Sequence, residues 1–270
     1  MPYRFVMPII PNLSIFIIAK NEGDRLGRTL SAISSLSDDI LVVDSGSSDD
    51  TIEVAKAHGA RVIHNDWPGY GEQKRFAEDN CRNDWLFNLD ADEVVTEELK
   101  REIIAAFAKG NLPPQAFSVP IAEVFPFETI AHKYAYVLEP VRIYHRTIGR
   151  YNPSIVHDRV DLAQSAQVAA LSGRVLHYSV RSLGEQLIKL NTYADNQALD
   201  MELRGKKYSI IRLLFEFPIA FLKAYIGRRH FLRGTYGFMS AMNYAFYRYL
   251  RLAKHWEKRL ISTADTDNSP

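Results

Sequence analysis

Four apolar runs of strand length punctuate the first ninety positions, and a segment with helical spacing follows each of them. The runs are NLSIFIIA (Asn12–Ala19), DILVVD (Asp39–Asp44), ARVIHN (Ala60–Asn65) and DWLFNLD (Asp84–Asp90). After the first, DRLGRTLSAISSL spaces Leu26, Leu30 and Ile33 along one helical face. DDTIEVAKAHG reads as a helix closed by Gly59, with Ser48 or Asp49 as its N-cap, and GEQKRFAEDNC is helical. TEELKREIIAAFAKG is a helix with Thr96 as cap and Gly110 at its end. Strands alternating with helices of this length predict βαβ units and a parallel sheet. The runs are apolar on both faces, as is needed when helices cover both sides of a sheet. Residues 1–110 are therefore expected to form an open α/β sheet.

From Pro113 the pattern changes. AFSVPIAEVF, AYVLEPVRIYH and RVLHYSV predict strands in a mixed or antiparallel arrangement. From Ser182 the chain turns helical, over Leu183–Leu203, Ile210–Ile226 and Gly234–Lys258, and STADTDNSP reads as a disordered tail. The expected division is 1–180 for the sheet domain, 181–260 for a helical section and 261–270 for the tail. Hydrophobic residues at 47% and charged residues at 24% exclude a disordered chain. Cys81 is the sole cysteine, so no intrachain disulfide forms, and a reducing compartment is the simplest reading. The apolar N-terminus is interrupted by Pro2, Pro8 and Pro11 and has no small-residue cleavage site, so it does not read as a signal peptide. SIIRLLFEFPIAFLKAYIG comes nearest to a transmembrane helix but contains Arg212, Glu216, Pro218 and Lys223.

Ligands of open α/β sheets bind outside the carboxyl ends of the strands. That rule places Lys20, Asn21 and Glu22, then Asp44–Ser47, then Asp90–Glu93 on one rim. Asp90 and Asp92 stand in D-x-D spacing, and in an extended segment residues two apart point the same way. Two such carboxylates repel unless a cation joins them, and Mg²⁺ or Mn²⁺ with a diphosphate would complete the site. The competing reading is that both acids decorate the N-terminus of the helix at Thr96. Asp44 ends the second run, where it can accept from a base N–H or a ribose hydroxyl, or serve as a turn acid. Lys74 and Arg75 open a helix beside the rim, where they can offset diphosphate charge or simply form a solvated face.

LSIFIIAKNE, VVDSGSSDDT and LDADE stand in the order and spacing of family 2 glycosyltransferases, which have the GT-A fold. The later RIYHR, SIVHDRV and VLHYSVRSLGEQLIKLNTYADNQA resemble the bacterial branch that builds lipopolysaccharide core, the β-glucosyltransferase-like enzymes. The likeness runs over roughly residues 12–255. It implies that 1–180 is a nucleotide-sugar-binding and catalytic domain of GT-A type with a mostly parallel, Rossmann-like sheet. It implies that Asp44 reads the nucleobase, Asp90 sits near ribose and metal, Asp92 binds a divalent cation, Lys74 faces the diphosphate, and Glu22 shapes the nucleotide pocket beside Lys20 and Asn21. Asp158 falls where this branch carries a glutamate as catalytic base, so the chain has the carboxylate on a side chain one methylene shorter. The alternative for Asp158 is a turn acid paired with Arg159 or Arg142. His177 has two readings, a group near the metal or leaving phosphate and a core histidine at a strand end; His157 would orient the loop before the base.

The implied activity is inverting transfer of a hexose such as glucose from a UDP-sugar to a lipopolysaccharide-core or other lipid-linked saccharide acceptor. The charge distribution suits such a partner. Residues 201–260 carry 13 Lys and Arg against 3 Asp and Glu, whereas residues 1–200 carry 20 against 27. A basic, aromatic-rich helical section of this kind can lie on the cytoplasmic face of an inner membrane, or can pack on the sheet with its cations solvated. No nucleic-acid-binding motif is present, and oligomeric state is not legible. Three rivals share features of the rim. A haloacid-dehalogenase-type phosphatase would place D-x-D on its first strand, a nucleotidyltransferase would carry a Gly-rich basic loop near the N-terminus, and a catalytically silent membrane scaffold would not need Asp44, Asp90, Asp92 and Asp158.

Overall fold

A computed structural model describes residues 9–108, 110, 112–154, 158–206 and 208–267. The chain divides into two compact units, one built from residues up to Val124 together with Val137–Ser179, the other from Phe125–Tyr136 together with Val180 onward.

In the first unit the apolar runs become β1 (Leu13–Ala19), β2 (Asp39–Asp44), β3 (Arg61–His64) and β4 (Trp85–Asp90). They are separated by α1 (Gly23–Ile33), α2 (Thr51–Ala57) and α3 (Tyr70–Asn80), and β5 (Glu93–Val95) precedes α4 (Glu97–Phe107). Beyond these lie β6 (Ala116–Ser118), β7 (Ile121–Glu123), β8 (Val137–Leu138), β9 (Val141–His145), β10 (Gly149–Tyr151), β11 (Val160–Leu162), β12 (Val168–Ala170) and β13 (Val175–His177). The main sheet has the order β12-β6-β9-β4-β1-β2-β3. Strands β1 to β4 pair in parallel with one another, and β9 runs antiparallel between β4 and β6. Side chains alternate across β1. Ile15 and Ile17 join the core that holds Leu26, Leu30 and Ile33 of α1, while Phe16 and Ile18 join the core that holds Ala77 of α3.

Register decides where the strands end. Ala19 lies beside Asp44, and Ile18 beside Asp90. The tips of β1, β2 and β4 therefore open on the same edge, as a parallel sheet requires.

The structure departs from the sequence expectations where proline or short length intervenes. Pro120 and Pro140 each divide one expected strand into two, because proline has no N–H for the ladder. The halves go to different sheets: β6 and β9 join the main sheet, β7 and β8 a second one of order β5-β13-β7-β8. Strands β5, β10, β11 and β12 have three residues each, too few to show a period. Helix α2 starts at Thr51 with Asp50 at the N-cap position, and Asp49 instead accepts from the Thr51 N–H and hydroxyl at 3.1 and 2.5 Å.

The second unit contains α5 (Leu183–Leu203), α6 (Ile210–Leu222) and α7 (Gly234–Asp267), with a π turn at Lys223–Gly227 and a 3-10 turn at His230–Arg233. Ser182 and Ser209 cap α5 and α6 by accepting from the N–H groups of Glu185 and Arg212. Buried Ala194, Ala198, Ala220, Ala241 and Ala245 let the helices pack closely. Glu216 of α6 ties to Arg248 and Arg251 of α7 at 2.7 and 3.1 Å. Helix α7 runs past the expected end at Lys258 to Asp267, since no glycine or proline interrupts it there. Among the described residues no helix is long and apolar enough to cross a membrane.

Candidate active site

The first two strand tips are stitched together by their loops. Asn21 adopts a left-handed conformation (φ 56°), which asparagine tolerates better than most residues. Its backbone N–H donates to Ser47 Oγ at 2.9 Å, and its side-chain oxygen accepts from the Ser48 N–H at 2.8 Å. The Glu22 N–H donates to Thr51 Oγ1 and the Gly23 N–H to Asp49. Lys20 is exposed at the mouth. Asp44 is buried and holds the second loop. Its carboxylate accepts from the Gly46 N–H, the Ser47 N–H and the Ser47 hydroxyl, at 2.9, 3.0 and 2.5 Å.

A second cluster centres on Lys74. This side chain is buried on the inner face of α3 rather than on a solvated one. Its ammonium lies 3.1 Å from Asp90 Oδ1 and 2.6 Å from Asp158 Oδ2, over the ring of Tyr151. Burial alone would lower the lysine pKa, but the facing carboxylates, Asp90 foremost, outweigh it and hold the ammonium charged. Arg142, from β9, reaches Asn88 Oδ1 at 2.5 Å, Glu93 Oε1 at 2.8 Å and Asp90 Oδ2 at 3.2 Å. Burial raises the Asp90 pKa in isolation, yet Lys74 and Arg142 pull it well below the usual carboxylate range. Glu93 is more deeply buried, and desolvation leaves its pKa raised despite Arg142.

A third cluster holds Asp92. The strand ends at Asp90 and a turn carries Ala91 and Asp92, so the alternation of an extended chain stops there. In consequence the two acids of the D-x-D take different partners, not the parallel aim expected of them. Asp92 Oδ1 lies 3.3 Å from His177 Nε2, and Oδ2 lies 3.4 Å from Arg25 Nη1. Arg25 is fixed by Glu22 at 2.5 Å and by the carbonyl of Tyr178 at 3.2 Å. Burial would lower the His177 pKa, and the hydrogen bond to Asp92 reverses that and raises it.

Asp158 therefore pairs with Lys74, whereas Arg159 pairs with Asp161 and Arg142 with Asp90 and Glu93. Glycine lets α3 approach the backbone at Asn152, whose N–H donates to the Arg159 carbonyl at 2.9 Å. The Gly71 N–H donates to Ser154 O at 2.9 Å, and a Cβ on Gly71 would stand 2.0 Å from Asn152 O. His157 lies outside the described residues. Among the described residues, Lys74 joins Asp90 to Asp158, Asp92 pairs with His177, Asp44 holds its own loop at the tip of β2, and Lys20 is exposed. Arg25 and Tyr151 are the residues missed from sequence, and Arg142, read there only as a possible partner of Asp158, pairs with Asp90 and Glu93 instead. Arg25 had a signal, its i,i+3 spacing from Glu22.

The model of the family described as "Glycosyl transferase family 2" matches residues 14–160. The chain belongs to this family. The "Uncharacterized glycosyltransferase" of Rickettsia typhi is 37% identical over 258 residues, covering 93% of this chain and 88% of that one. The "Lipopolysaccharide core biosynthesis glycosyltransferase LpsC" of Rhizobium meliloti is 29% identical over 272 residues, covering 95% and 96%. Among solved structures, S. aureus TarS 1-349 overlaps 88% of each chain at a TM-score of 0.47 and 11% identity.

At the strand tips of this family 2 glycosyltransferase with a GT-A-type α/β fold, acids outnumber bases. Glu22, Asp90, Asp92, Glu93 and Asp158 set five carboxylates against three full cations, Arg25, Lys74 and Arg142, with His177 beside them. Among the described residues no three His, Cys, Asp or Glu side chains converge as a complete cage. Asp92 and His177 nonetheless present an oxygen and a nitrogen side by side, and Mg²⁺ or Mn²⁺ in transferases of phosphorylated substrates completes its shell with substrate oxygens and water.

Proposed function

We propose that this glycosyltransferase moves a hexose, such as glucose, from a UDP-sugar to a lipopolysaccharide-core or related lipid-linked saccharide, with inversion and with Asp158 as base. The observation that carries the reading is the single ammonium of Lys74 shared by Asp90 and Asp158. It ties the carboxylate assigned to the nucleotide side of the site to the carboxylate assigned to the acceptor side. The likeness to the Rhizobium meliloti lipopolysaccharide core biosynthesis glycosyltransferase supports the acceptor class.

Residue by residue, Asp44 accepts from the base, and Lys20, Asn21 and Glu22 line the nucleotide pocket around the stitched loops. Asp92 and His177, with Asp90 adjacent, would hold the divalent cation, which would supply positive charge to the leaving diphosphate. Lys74 positions Asp158 and adds its own charge near the same group. Asp158 takes the proton from the acceptor hydroxyl as that oxygen bonds to the anomeric carbon. The bond from that carbon to the diphosphate oxygen breaks, and its electron pair leaves with UDP. One displacement inverts the centre, so an α-linked donor gives a β-linked product. The acceptor places the enzyme at the cytoplasmic face of the inner membrane as a peripheral protein.

The test is calorimetric titration of UDP and GDP with and without Mn²⁺, on the wild type, Asp92→Asn and Asp158→Asn. Metal-dependent UDP binding, lost in Asp92→Asn and kept in Asp158→Asn while sugar transfer disappears, is the expected pattern. A folded wild type that binds neither nucleotide would overturn the reading.

A further inference from the structure

Helix α6 is amphipathic the wrong way round for a helix facing water. Its one acid, Glu216, is turned inward and buried against Arg248 and Arg251. Its outward face is apolar: Ile211, Leu214, Phe215, Ile219, Leu222 and, in the π turn that follows, Ile226 are 52–68% exposed. These positions recur at three- and four-residue intervals, so they form one stripe roughly 22 Å long at a rise of about 1.5 Å per residue. The stripe continues across Phe221 and Tyr225, whose rings meet Phe238 of α7, to exposed Met242. Monomeric proteins rarely leave a contiguous apolar surface of this kind in water.

Charge decides what covers it. Between Leu203 and Trp256 the chain has eleven Lys and Arg and one acid, the buried Glu216; Arg212, Arg248 and Arg251 pair with it, and Arg204, Arg233 and Lys254 pair with Asp200, Glu128 and Asp195. Lys223 and Arg229 are exposed beside the stripe. A second copy would set cations against cations, with no exposed acid on this stretch to offset them. An anionic lipid surface complements both features, since it takes the apolar side chains below the headgroups and pairs the cations with phosphates.

We propose that the outward face of α6, continued onto α7, is an in-plane docking surface for anionic lipid bilayers. The proposal sharpens the membrane part of the function assigned above by naming the surface that makes the contact. The experiment is co-sedimentation of the full chain with vesicles of phosphatidylcholine alone, or with about one-third phosphatidylglycerol. The comparison is with Leu214→Ser/Phe215→Ser/Ile219→Ser and with Lys223→Gln/Arg229→Gln. Because all five side chains are exposed, the variants are expected to fold, which circular dichroism and calorimetric UDP binding check on the same samples. Binding should favour the anionic vesicles, fall at least about tenfold in the triple serine variant, and lose about fivefold per removed charge in the glutamine variant. Vesicle binding unchanged by the serine substitutions would overturn the proposal, as would a wild type that ignores both vesicles. So would a dimer in solution that the serine substitutions dissolve, which would name a second copy as the occupant. Loss of UDP binding in the wild type would strike the catalytic reading and leave this result standing.

Discussion

Arg142 in the first unit and Glu216 in the second are each the hub of an ion cluster, and the two clusters leave opposite surpluses. Around Arg142 and Lys74, carboxylates outnumber cations, and the excess faces the strand tips where a cation and a diphosphate would bind. Around Glu216, three arginines meet a single acid. The Arg142 cluster is buried, so its charges are poorly screened, whereas Arg212 of the Glu216 cluster is 46% exposed and solvated. On this comparison the sheet unit carries a local surplus of negative charge and the helical unit a local surplus of positive.

The substitution with the largest expected effect breaks the first cluster at its acceptor side. Asp158→Asn should lower sugar transfer by about 10²–10⁴-fold, the usual worth of a general base, with UDP affinity little changed. Asp158→Glu should recover part of the rate, because it restores the carboxylate. Product formation under donor saturation measures this directly, and an Asp158→Asn enzyme with wild-type turnover would assign the base elsewhere. Next in size is Gly71→Ala. Its Cβ would collide with the backbone at Asn152 O and, at 2.6 Å, Ser154 N, and neither atom belongs to a flexible side chain. The expected cost is about 1–3 kcal/mol of stability in the first unit, together with a fall in kcat larger than any rise in KM as the Asp158 loop shifts. An unaltered melting curve and unaltered kcat would show that the loop does not depend on this close approach.

How far the same contrast could be read from sequence depends on chain separation. The tips of β1, β2 and β4 were legible because buried parallel strands are apolar throughout and end abruptly in polar residues. Motif order singles out Asp44, Asp90, Asp92 and Asp158 in the sequence as lone positions. The pairing between them was not legible. Arg142 meets residues 49 to 54 positions away, and helical spacing around Lys74 says nothing about which tip its ammonium reaches. The turn at Ala91–Asp92, which sends the two acids to different partners, is also silent in a D-x-D. In the second unit the helix limits of α5 were legible from Ser182 and the apolar spacing. Which side of α6 faces out was not, since apolar residues occupy nearly all of it and only packing on α7 selects the face.

Acid should separate the units by a smaller margin. His230 is buried in the second unit, and burial together with Arg233 and Arg228 pushes its pKa down to about 4. An unfolded histidine titrates near 6.5. Between these values the unfolded chain binds the additional proton, so stability falls as pH drops from about 6.5 toward 4, by at most about 1.4 kcal/mol per pH unit. In the first unit Asp39 is lowered below its ordinary value: burial opposes this, but Ser14, the Arg82 N–H and Arg61 prevail. Its contribution is complete above the ordinary aspartate value and is lost only as pH falls below it. Denaturant melts of the wild type and His230→Gln at pH 7 and pH 5 read the difference. A gap between the two pH values that His230→Gln leaves intact would place the acid sensitivity in another group.

The smallest effect expected is a slow reaction, and it isolates the first unit from the second. Cys81 is the chain's one cysteine, it is buried at the end of α3, and burial pushes its thiol up to about 12. Thiolate is the reactive form, so at pH 8 the folded protein offers a disulfide reagent neither access nor charge. Labelling must wait for the first unit to open, and its rate then follows the population of the open form. Gly71→Ala, at about 2 kcal/mol, should accelerate labelling roughly 30-fold. The serine substitutions on α6 should leave it unchanged, because their side chains are exposed in the other unit. Equal acceleration by both would mean that the two units open together, and the opposite charge surpluses would then belong to one cooperative structure.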